Sequence, residues 1–515
     1  MSPNETPLKD RVPIGQKAAF GAGNLVNNLL PGSLGVFAFF LLTAFGMDPL
    51  LAGLLGGLPR FFDAITDPIM GYITDNTISR FGRRRPYIFI GAILSGVLFA
   101  ILWQLNPENS QMYIFWHFLI LSMVYVIGNT IFSAPLIGLG YEMTPDYNER
   151  TRLMGFSQTI GQIAWMVVPW FWVIIANPEV YKLGAEKIAA ITAEFTASFS
   201  LEDFASSEAY QLALDQKLES ARQVIGVQRL SVIVGAVCLL LGILPAIFCK
   251  EIDQTKLTNR DEISLKKITN NFRNLIKNMG QVFKNNPFVR LCGATFLVFN
   301  GYQMVASFSY FIILFYMFNG DYGLTGTWPA WFSTVSALCT AFLIIPIITM
   351  MSNKLGKRNA FIIATFISIL GYALKWWGFN PENPWLMFMP VPFMVFGIGG
   401  LFTLMMSMTA DVCDLDELNN GMPRKEGTFG AIYWWMVKLG QGIALVLGGL
   451  VLKLVGFDQN AAQQTADTIT NLRIADIVIP AFTAGLAVVV MWKYDLTEKR
   501  AKEIKEMLIK RRGEL

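Results

Sequence analysis

The chain has 515 residues, of which 53% are hydrophobic and only 15% are charged, with a formal net charge of +4. Soluble domains carry about 25% charged residues, so the composition and the mean hydropathy of +0.45 exclude an ordinary soluble protein. The long apolar runs fit membrane-spanning helices rather than the short alternating strands of a β-barrel. We therefore expect an all-α membrane protein.

Twelve apolar segments are long enough to cross a bilayer as helices. In chain order they cover residues 18–44, 50–75, 86–105, 112–141, 153–176, 227–249, 288–318, 328–351, 360–379, 385–412, 427–456 and 474–494. An even number of spans places both termini on one side of the membrane. Most Lys and Arg residues lie in the loops on that side, which predicts cytoplasmic termini in a bacterial inner membrane.

The charged linker at 250–287 divides the chain into two sets of six spans. We expect an N-tail at 1–17, a six-helix bundle at 18–249, the cytoplasmic linker, a second six-helix bundle at 288–494 and a C-tail at 495–515. The loop at 177–226 should lie outside and form one or two amphipathic helices. The basic, amphipathic C-tail should lie along the anionic inner leaflet.

The second span contains two carboxylates, Asp63 and Asp67, four residues apart and so on one face of a helix. Carboxylates inside a membrane usually face a cavity, an ion or a partner charge. This spacing therefore indicates an ion site. The alternative is that the two acids bind no cation and only form salt bridges with Arg60 or Lys438.

Several motifs occur together and in a fixed order. They are DAITDPIMGY at 63–72, RFGRRRP at 80–86, TPDYNERTR at 144–152, ADVCDLDE at 410–417, RKEGTFGA at 424–431 and MVK at 436–438. With them, the chain resembles the glycoside–pentoside–hexuronide:cation symporters of the major facilitator superfamily. The resemblance implies the major facilitator fold, with two six-helix bundles, and cation-coupled sugar transport.

The resemblance also implies a set of coupling residues. The family's cation-binding carboxylates match Asp63 and Asp67, a hydroxyl from span four matches Thr130, and the lone lysine of span eleven matches Lys438. Thr66 stands where the type protein of the family has an asparagine, which leaves Na⁺, Li⁺ and H⁺ open. In the expected exchange, the cation displaces the lysine ammonium from the carboxylates.

The sugar-binding positions depart from the type protein, because its charged contacts align with Asn28, Ser133 and Gln158, which are neutral. Amides, hydroxyls and aromatic rings at helical spacing still suit a polyol. The candidate substrate residues are Asn24, Asn28, Tyr125, Asn129, Ser133, Gln158, Gln162, Asn300, Gln303, Tyr433 and Trp434. For each of them, interhelical packing is an open alternative.

A third group of charged residues predicts a cytoplasmic gate. Its candidates are Asp75, Arg83, Arg84, Arg85, Arg150, Asp411 and Asp414. The arginines could pair with acids such as Asp146, Glu149, Asp411 or Asp414. Retention of positive charge on the inner side is an equally good explanation.

These observations predict a secondary transporter that imports a sugar or glycoside with Na⁺ or H⁺. Its partners would be that solute, a monovalent cation and membrane lipid, not nucleic acid. The chain contains no G-x-x-x-x-G-K-[ST] loop, five cysteines without a C-x-x-C pair and one histidine, so we expect no enzyme, no cofactor and no metal centre beyond Na⁺. The alternatives are a carrier of a lysolipid or amphiphile, and a non-transporting membrane sensor that uses loop 177–226.

Overall fold

The structure is a computed structural model. It describes residues 11–512 except 78, 145–146, 178–179, 205, 252–268, 270–272, 274–279, 281–282, 421–425 and 462. The described residues are almost entirely helical and contain no β-strand. The chain forms two compact units. The first contains Met1–Asn271, Tyr322–Ala330 and Asp458–Ala462, and the second contains Phe272–Asp321, Trp331–Phe457 and Gln463–Leu515.

The helices up to the linker are α1 (Ile14–Thr43), α2 (Pro49–Asn76), α3 (Arg85–Leu102), α4 (Gln111–Glu142), α5 (Tyr147–Val167), α6 (Trp170–Ala176), α7 (Ala185–Ser198) and α8 (Ser207–Phe248). After the linker come α9 (Asn286–Phe311), α10 (Tyr322–Thr325), α11 (Trp328–Leu338), α12 (Ile345–Leu355), α13 (Lys357–Gly378), α14 (Val391–Asn420), α15 (Glu426–Leu454), α16 (Ala466–Trp492) and α17 (Glu498–Arg512). Short π-helical segments, Ile312–Met317 and Cys339–Ile344, continue α9 and join α11 to α12.

Eleven helical segments of the described residues are long and apolar enough to cross a membrane. They correspond to eleven of the twelve predicted spans. The remaining prediction, span two, is the 28-residue helix α2. Its sequence includes Arg60, Asp63, Asp67 and Asp75, which lower its hydropathy. The least apolar of the predicted spans is therefore the one that carries the predicted ion site.

Two predicted segments differ from the sequence reading in detail. Predicted span five is broken into α5 and α6 at Pro169, which has no N–H to continue the helical hydrogen bonding. Predicted span six is only the second half of the 42-residue helix α8, whose first half belongs to loop 177–226. That loop also contains α7, so the expectation of helices in it is confirmed. Phe195 of α7 packs edge-on against Tyr210 of α8, with ring centroids 5.3 Å apart.

Small residues allow the closest helix contacts in each unit. A Cβ on Gly96 of α3 would lie 2.5 Å from the backbone oxygen of Gly235 in α8. In the second unit, a Cβ on Gly371 of α13 would lie 2.2 Å from the backbone nitrogen of Met394 in α14. Backbones that approach this closely maximise van der Waals contact, which drives helix association where lipid replaces water.

The expectation that the C-tail lies along the membrane is corrected. Helix α17 packs against α14, and the side chains of Ile504 and Leu508 on its apolar face are buried. The protein itself covers this apolar face, so the face is not available to the lipid leaflet. Amphipathic periodicity predicts that one face of a helix is covered, but it does not say by what.

Candidate cation and substrate sites

The candidate cation site is built from one turn of α2 and one residue of α4. Helix α2 begins at Pro49, where the Asp48 side chain accepts hydrogen bonds from the backbone N–H groups of Leu50 and Leu51. Thr66 lies one turn after Asp63, and its hydroxyl donates to the Asp63 backbone oxygen at 3.2 Å. The helix thus holds the Thr66 hydroxyl against the backbone of Asp63.

Helix α4 supplies the third member of this cluster. The Thr130 hydroxyl donates to Asp63 Oδ1 at 3.2 Å, and the hydroxyl oxygens of Thr130 and Thr66 lie 3.0 Å apart. Asp63 is 5% exposed and Thr130 is 2% exposed. A buried carboxylate flanked by two hydroxyl oxygens offers the oxygen ligands that hard cations prefer, and the carboxylate can also take a proton.

The other two predicted coupling residues are Asp67 and Lys438. Asp67 follows Asp63 by one turn on α2 and is partly exposed. Lys438 lies on α15 in the second unit and is also partly exposed. The structure therefore brings together Asp63, Thr66 and Thr130, and the exchange between a cation and the Lys438 ammonium stays a prediction.

The predicted polar residues of α1 hydrogen-bond to α5. Asn24 Nδ2 lies 3.1 Å from the Ser157 backbone oxygen and 3.2 Å from Gln158 Oε1. Asn28 Nδ2 donates to the Gly161 backbone oxygen at 3.3 Å. The two amide groups thus fasten α1 to α5.

The substrate candidates on α5 and α4 differ in exposure. Gln158 and Gln162 on α5 are exposed, and Asn129 and Ser133 on α4 are partly exposed. The side chains of Gln158 and Gln162 are therefore accessible from outside the protein. Tyr125 is buried instead, 3% exposed, and its ring packs against Phe99 of α3 with centroids 6.0 Å apart.

The candidates in the second unit are mostly enclosed. Asn300 is buried and donates from Nδ2 to the Gly440 backbone oxygen at 3.2 Å, and Tyr433 is fully buried. These placements favour the packing alternative for both residues. Gln303 is partly exposed, and Trp434 is 47% exposed. The Trp434 ring stacks on Phe402 of α14 at 6.4 Å, an exposed aromatic partner that the sequence analysis did not name because it lies inside an apolar run.

The contacts of the gate arginines include acids that the sequence analysis did not name. Arg83 and Arg84 both form ion pairs with Glu142 at the end of α4, the latter at 2.9 Å. The Arg84 backbone N–H donates to Glu251 Oε1 at 2.7 Å. Arg85 donates from Nε to the Ala246 backbone oxygen at 2.6 Å, at the end of α8. These contacts join the start of α3 to the ends of α4 and α8. Glu251, which lies far along the sequence, also takes part in them.

The acids proposed as gate partners have the following contacts. Glu149 pairs with Lys17 at 2.7 Å, and Asp411 pairs with Lys357 at 2.6 Å. Asp414 is a partly exposed residue of α14, and its role stays a prediction. Asp146 and the side chains of Asp75 and Arg150 lie outside the described residues.

Glu149 ties the start of α1 to the start of α5. Its Oε1 accepts a hydrogen bond from the Val12 backbone N–H at 3.0 Å, in addition to the Lys17 pair. Burial alone would raise the pKa of Glu149. The hydrogen bonds from Lys17 and Val12 and the charges of Lys17 and Arg152 outweigh burial, so the pKa lies below its ordinary value of 4.5.

A family model described as MFS/sugar transport protein matches residues 19–498. The chain belongs to this family. It is 24% identical over 499 residues to the glucuronide carrier protein homolog of Escherichia coli (strain K12), covering 94% of this chain and 93% of that protein. It is 20% identical over 540 residues to the sodium-dependent lysophosphatidylcholine symporter 1 of Gallus gallus, covering 98% and 91%.

The structure of a D-xylose-proton symporter is similar to this one, with a TM-score of 0.58 at 16% sequence identity, covering 93% of this chain and 97% of that chain. At this identity the likeness shows the fold alone. The fold is that of the major facilitator superfamily, as predicted. The protein is a multi-span secondary transporter, not an enzyme.

The transporter also contains a charged pair that the sequence analysis missed. Lys375 of α13 and Asp476 of α16 form an ion pair, and both side chains are 1% exposed. The signal was available, because a lysine and an aspartate occur inside the predicted spans nine and twelve. Opposite charges in two spans can pair, but the sequence does not show that the spans are neighbours.

Proposed function

We propose that the transporter imports a sugar or glycoside together with Na⁺ or H⁺ across a bacterial inner membrane, with both termini in the cytoplasm. The observation that carries the proposal is the buried cluster of Asp63, Thr66 and Thr130. A carboxylate is costly to keep in a membrane span, and the hydroxyls of Thr130 and Thr66 add oxygen ligands of the kind that a hard cation prefers. The E. coli relative supports a sugar-like solute.

Transport would be coupled because the cation and the solute bind best to the same conformation of the protein. A cation bound at Asp63, with Asp67 on the next turn, would replace the Lys438 ammonium as the carboxylates' positive partner. Exposed amides such as Gln158 and Gln162 would then bind hydroxyl groups of the solute, since an amide both donates and accepts hydrogen bonds. The predicted bundles at 18–249 and 288–494 would rock about this site, as in other transporters built from repeats.

The direct test is Asp63→Asn, which keeps the shape of the side chain and removes its charge. We expect cation-driven accumulation of the solute to be lost, while the purified protein stays folded. Asp48→Asn is the matched control, because Asp48 caps α2 at its N-terminus and asparagine caps a helix equally well. Undiminished accumulation by Asp63→Asn would contradict the cation site.

A second candidate solute is a lysophospholipid or a similar amphiphile. The Gallus gallus relative, named for sodium-dependent lysophosphatidylcholine symport, aligns over nearly the whole chain and favours this class. The two classes separate in a thermal-shift screen, since a ligand of the folded state raises its apparent stability. Sugars that raise the unfolding temperature support the first class, and a shift with lysophosphatidylcholine alone supports the second.

A further inference from the structure

The Lys375–Asp476 pair joins three helices of the second unit. The Lys375 ammonium pairs with Asp476 of α16 and lies 3.3 Å from the Ser309 hydroxyl oxygen of α9. The Ser309 hydroxyl itself donates to the Val305 backbone oxygen at 2.8 Å, so its lone pairs are left to accept from Lys375. One ammonium of α13 therefore holds α9 and α16 at the same point.

A second cation near this point is directed elsewhere. Arg473 lies one turn before Asp476 on α16, and its guanidinium stacks over the rings of Tyr316 and Trp376, at 3.9 and 4.3 Å from their centroids. It also donates to the Trp376 backbone oxygen at 2.6 Å. Lys375 is consequently the cation in direct contact with Asp476, while Arg473 adds a weaker favourable charge from one turn away.

If the Lys375–Asp476 pair served only packing, it would cost the protein stability. Replacing a buried ion pair by apolar residues is often neutral or stabilising, because both charges lose their hydration when buried. One carboxylate oxygen, Asp476 Oδ1, is buried without a hydrogen-bond partner in the described structure, which adds to that cost. A polar contact that costs stability can still select one geometry among several that would pack equally well.

In this protein, the pair would fix how α9 is rotated about its own axis. Ser309 follows Asn300 by nine residues, which at 3.6 residues per turn places the two on opposite faces of the helix. Asn300 donates to the Gly440 backbone oxygen of α15 on one face, and Ser309 accepts from Lys375 on the other. A rotation of α9 would break both hydrogen bonds at once.

We propose that Lys375 and Asp476 are positioning residues that fix the rotation of α9, and through it the direction of Gln303, without themselves carrying a cation or a proton. The part that concerns Gln303 rests on the proposed function, because Gln303 is a candidate solute contact. The packing part does not, since it can be measured on purified protein without any solute.

Stability is the first measurement. Asp476→Leu leaves the Lys375 ammonium buried without its carboxylate, so we expect the unfolding temperature to fall by about 5 °C. The double variant Lys375→Met/Asp476→Leu removes both charges and should recover most of that loss. The control is Lys502→Met, which breaks an exposed ion pair of α17 with Glu498 and should change little. An Asp476→Leu protein as stable as its parent would overturn the proposal.

The position of α9 is the second measurement, because recovered stability alone would fit a purely structural pair. A thiol introduced by Val305→Cys lies one turn from Ser309 at a buried position. Its labelling should rise several-fold in the double variant and with Ser309→Ala. It should not rise with Ser336→Ala, since the Ser336 hydroxyl bonds only its own helix at the Phe332 oxygen.

Two results would overturn the positioning role. One is a reporter thiol labelled at the parent's rate in the double variant. The other is a parallel rise at the buried native Cys238 of the first unit, which would indicate general loosening. If the double variant also changed the cation concentration needed for half-maximal solute binding, the pair would belong to the ion site instead, and the positioning proposal would fail while cation coupling stood.

Discussion

The hydroxyl of Thr130 offers the most specific test of the cation site. Thr130→Val keeps the branched shape of the side chain and replaces the hydroxyl with a methyl group. The hydroxyl touches Asp63 Oδ1 at 3.2 Å and Thr66 at 3.0 Å, and it is almost fully buried. The substitution therefore removes one oxygen ligand and one hydrogen bond to the carboxylate without opening a cavity.

The magnitude follows from the charge of the acceptor. Hydrogen bonds to charged groups contribute roughly 1.5–3 kcal/mol, and about 1.4 kcal/mol corresponds to a tenfold change in an equilibrium constant. We expect Thr130→Val to raise the Na⁺ concentration for half-maximal solute uptake by about 10- to 100-fold, because Na⁺ would lose an oxygen ligand. The maximal rate at saturating cation should fall much less, since the carboxylate remains.

The assay is solute uptake into proteoliposomes, titrated with Na⁺ at fixed pH and with H⁺ at fixed Na⁺. Thr74→Val is a matched control, because Thr74 is a buried threonine of α2 whose hydroxyl bonds only the backbone of its own helix. Equal half-maximal cation concentrations in Thr130→Val and Thr74→Val would refute the reasoning and return the cluster to a packing role.

Three further predictions concern contacts elsewhere in the protein. Gly161→Ala should weaken solute binding, because the added Cβ would lie 2.6 and 2.8 Å from the amide nitrogens of Asn24 and Asn28 on α1. Gly155→Ala on the same helix is the control, since its Cβ would meet nothing within 4 Å. Binding titrations compare the two variants. Glu149→Gln should lower the unfolding temperature at pH 7 and flatten its fall on acidification. The lowered pKa of Glu149 contributes stability above the ordinary carboxyl pKa of 4.5, and this is lost as the pH falls through the lowered pKa, so parallel acid curves would contradict the account. Ile504→Asp should detach α17 and increase its proteolysis, since a charge would then be buried against α14; unchanged proteolysis would mean that this contact does not hold the helix.

Much of the fold follows from the sequence because a bilayer imposes simple rules. A helix must hide its backbone polar groups and match the membrane thickness, so apolar length alone predicts twelve spans, including the charged helix α2. The helical spacing of Asp63 and Thr66 fixes their proximity without any tertiary information.

The ion pairs and the exposure of side chains could not be predicted from the sequence, because both depend on which helices are neighbours. The pairing of Arg84 with Glu142, and of Lys375 with Asp476, joins residues far apart in the chain, and no periodicity encodes it. Exposure is similarly hidden, since Tyr433 and Trp434 are adjacent in sequence yet one is fully buried and the other about half exposed. Both were proposed as solute contacts because of their residue type. Only the packing of the helices shows that Tyr433 is buried and Trp434 is exposed.

The central claim is that solute and cation bind to the same folded state and strengthen one another. It is tested most directly by the thermal stability of the purified protein with a panel of sugars, each measured with and without Na⁺ and at two pH values. Coupling between two sites is reciprocal, so the account predicts a sugar whose stabilising shift grows with Na⁺ or with H⁺, and growth that Asp63→Asn abolishes. A sugar whose shift is the same under every cation condition would contradict coupled transport.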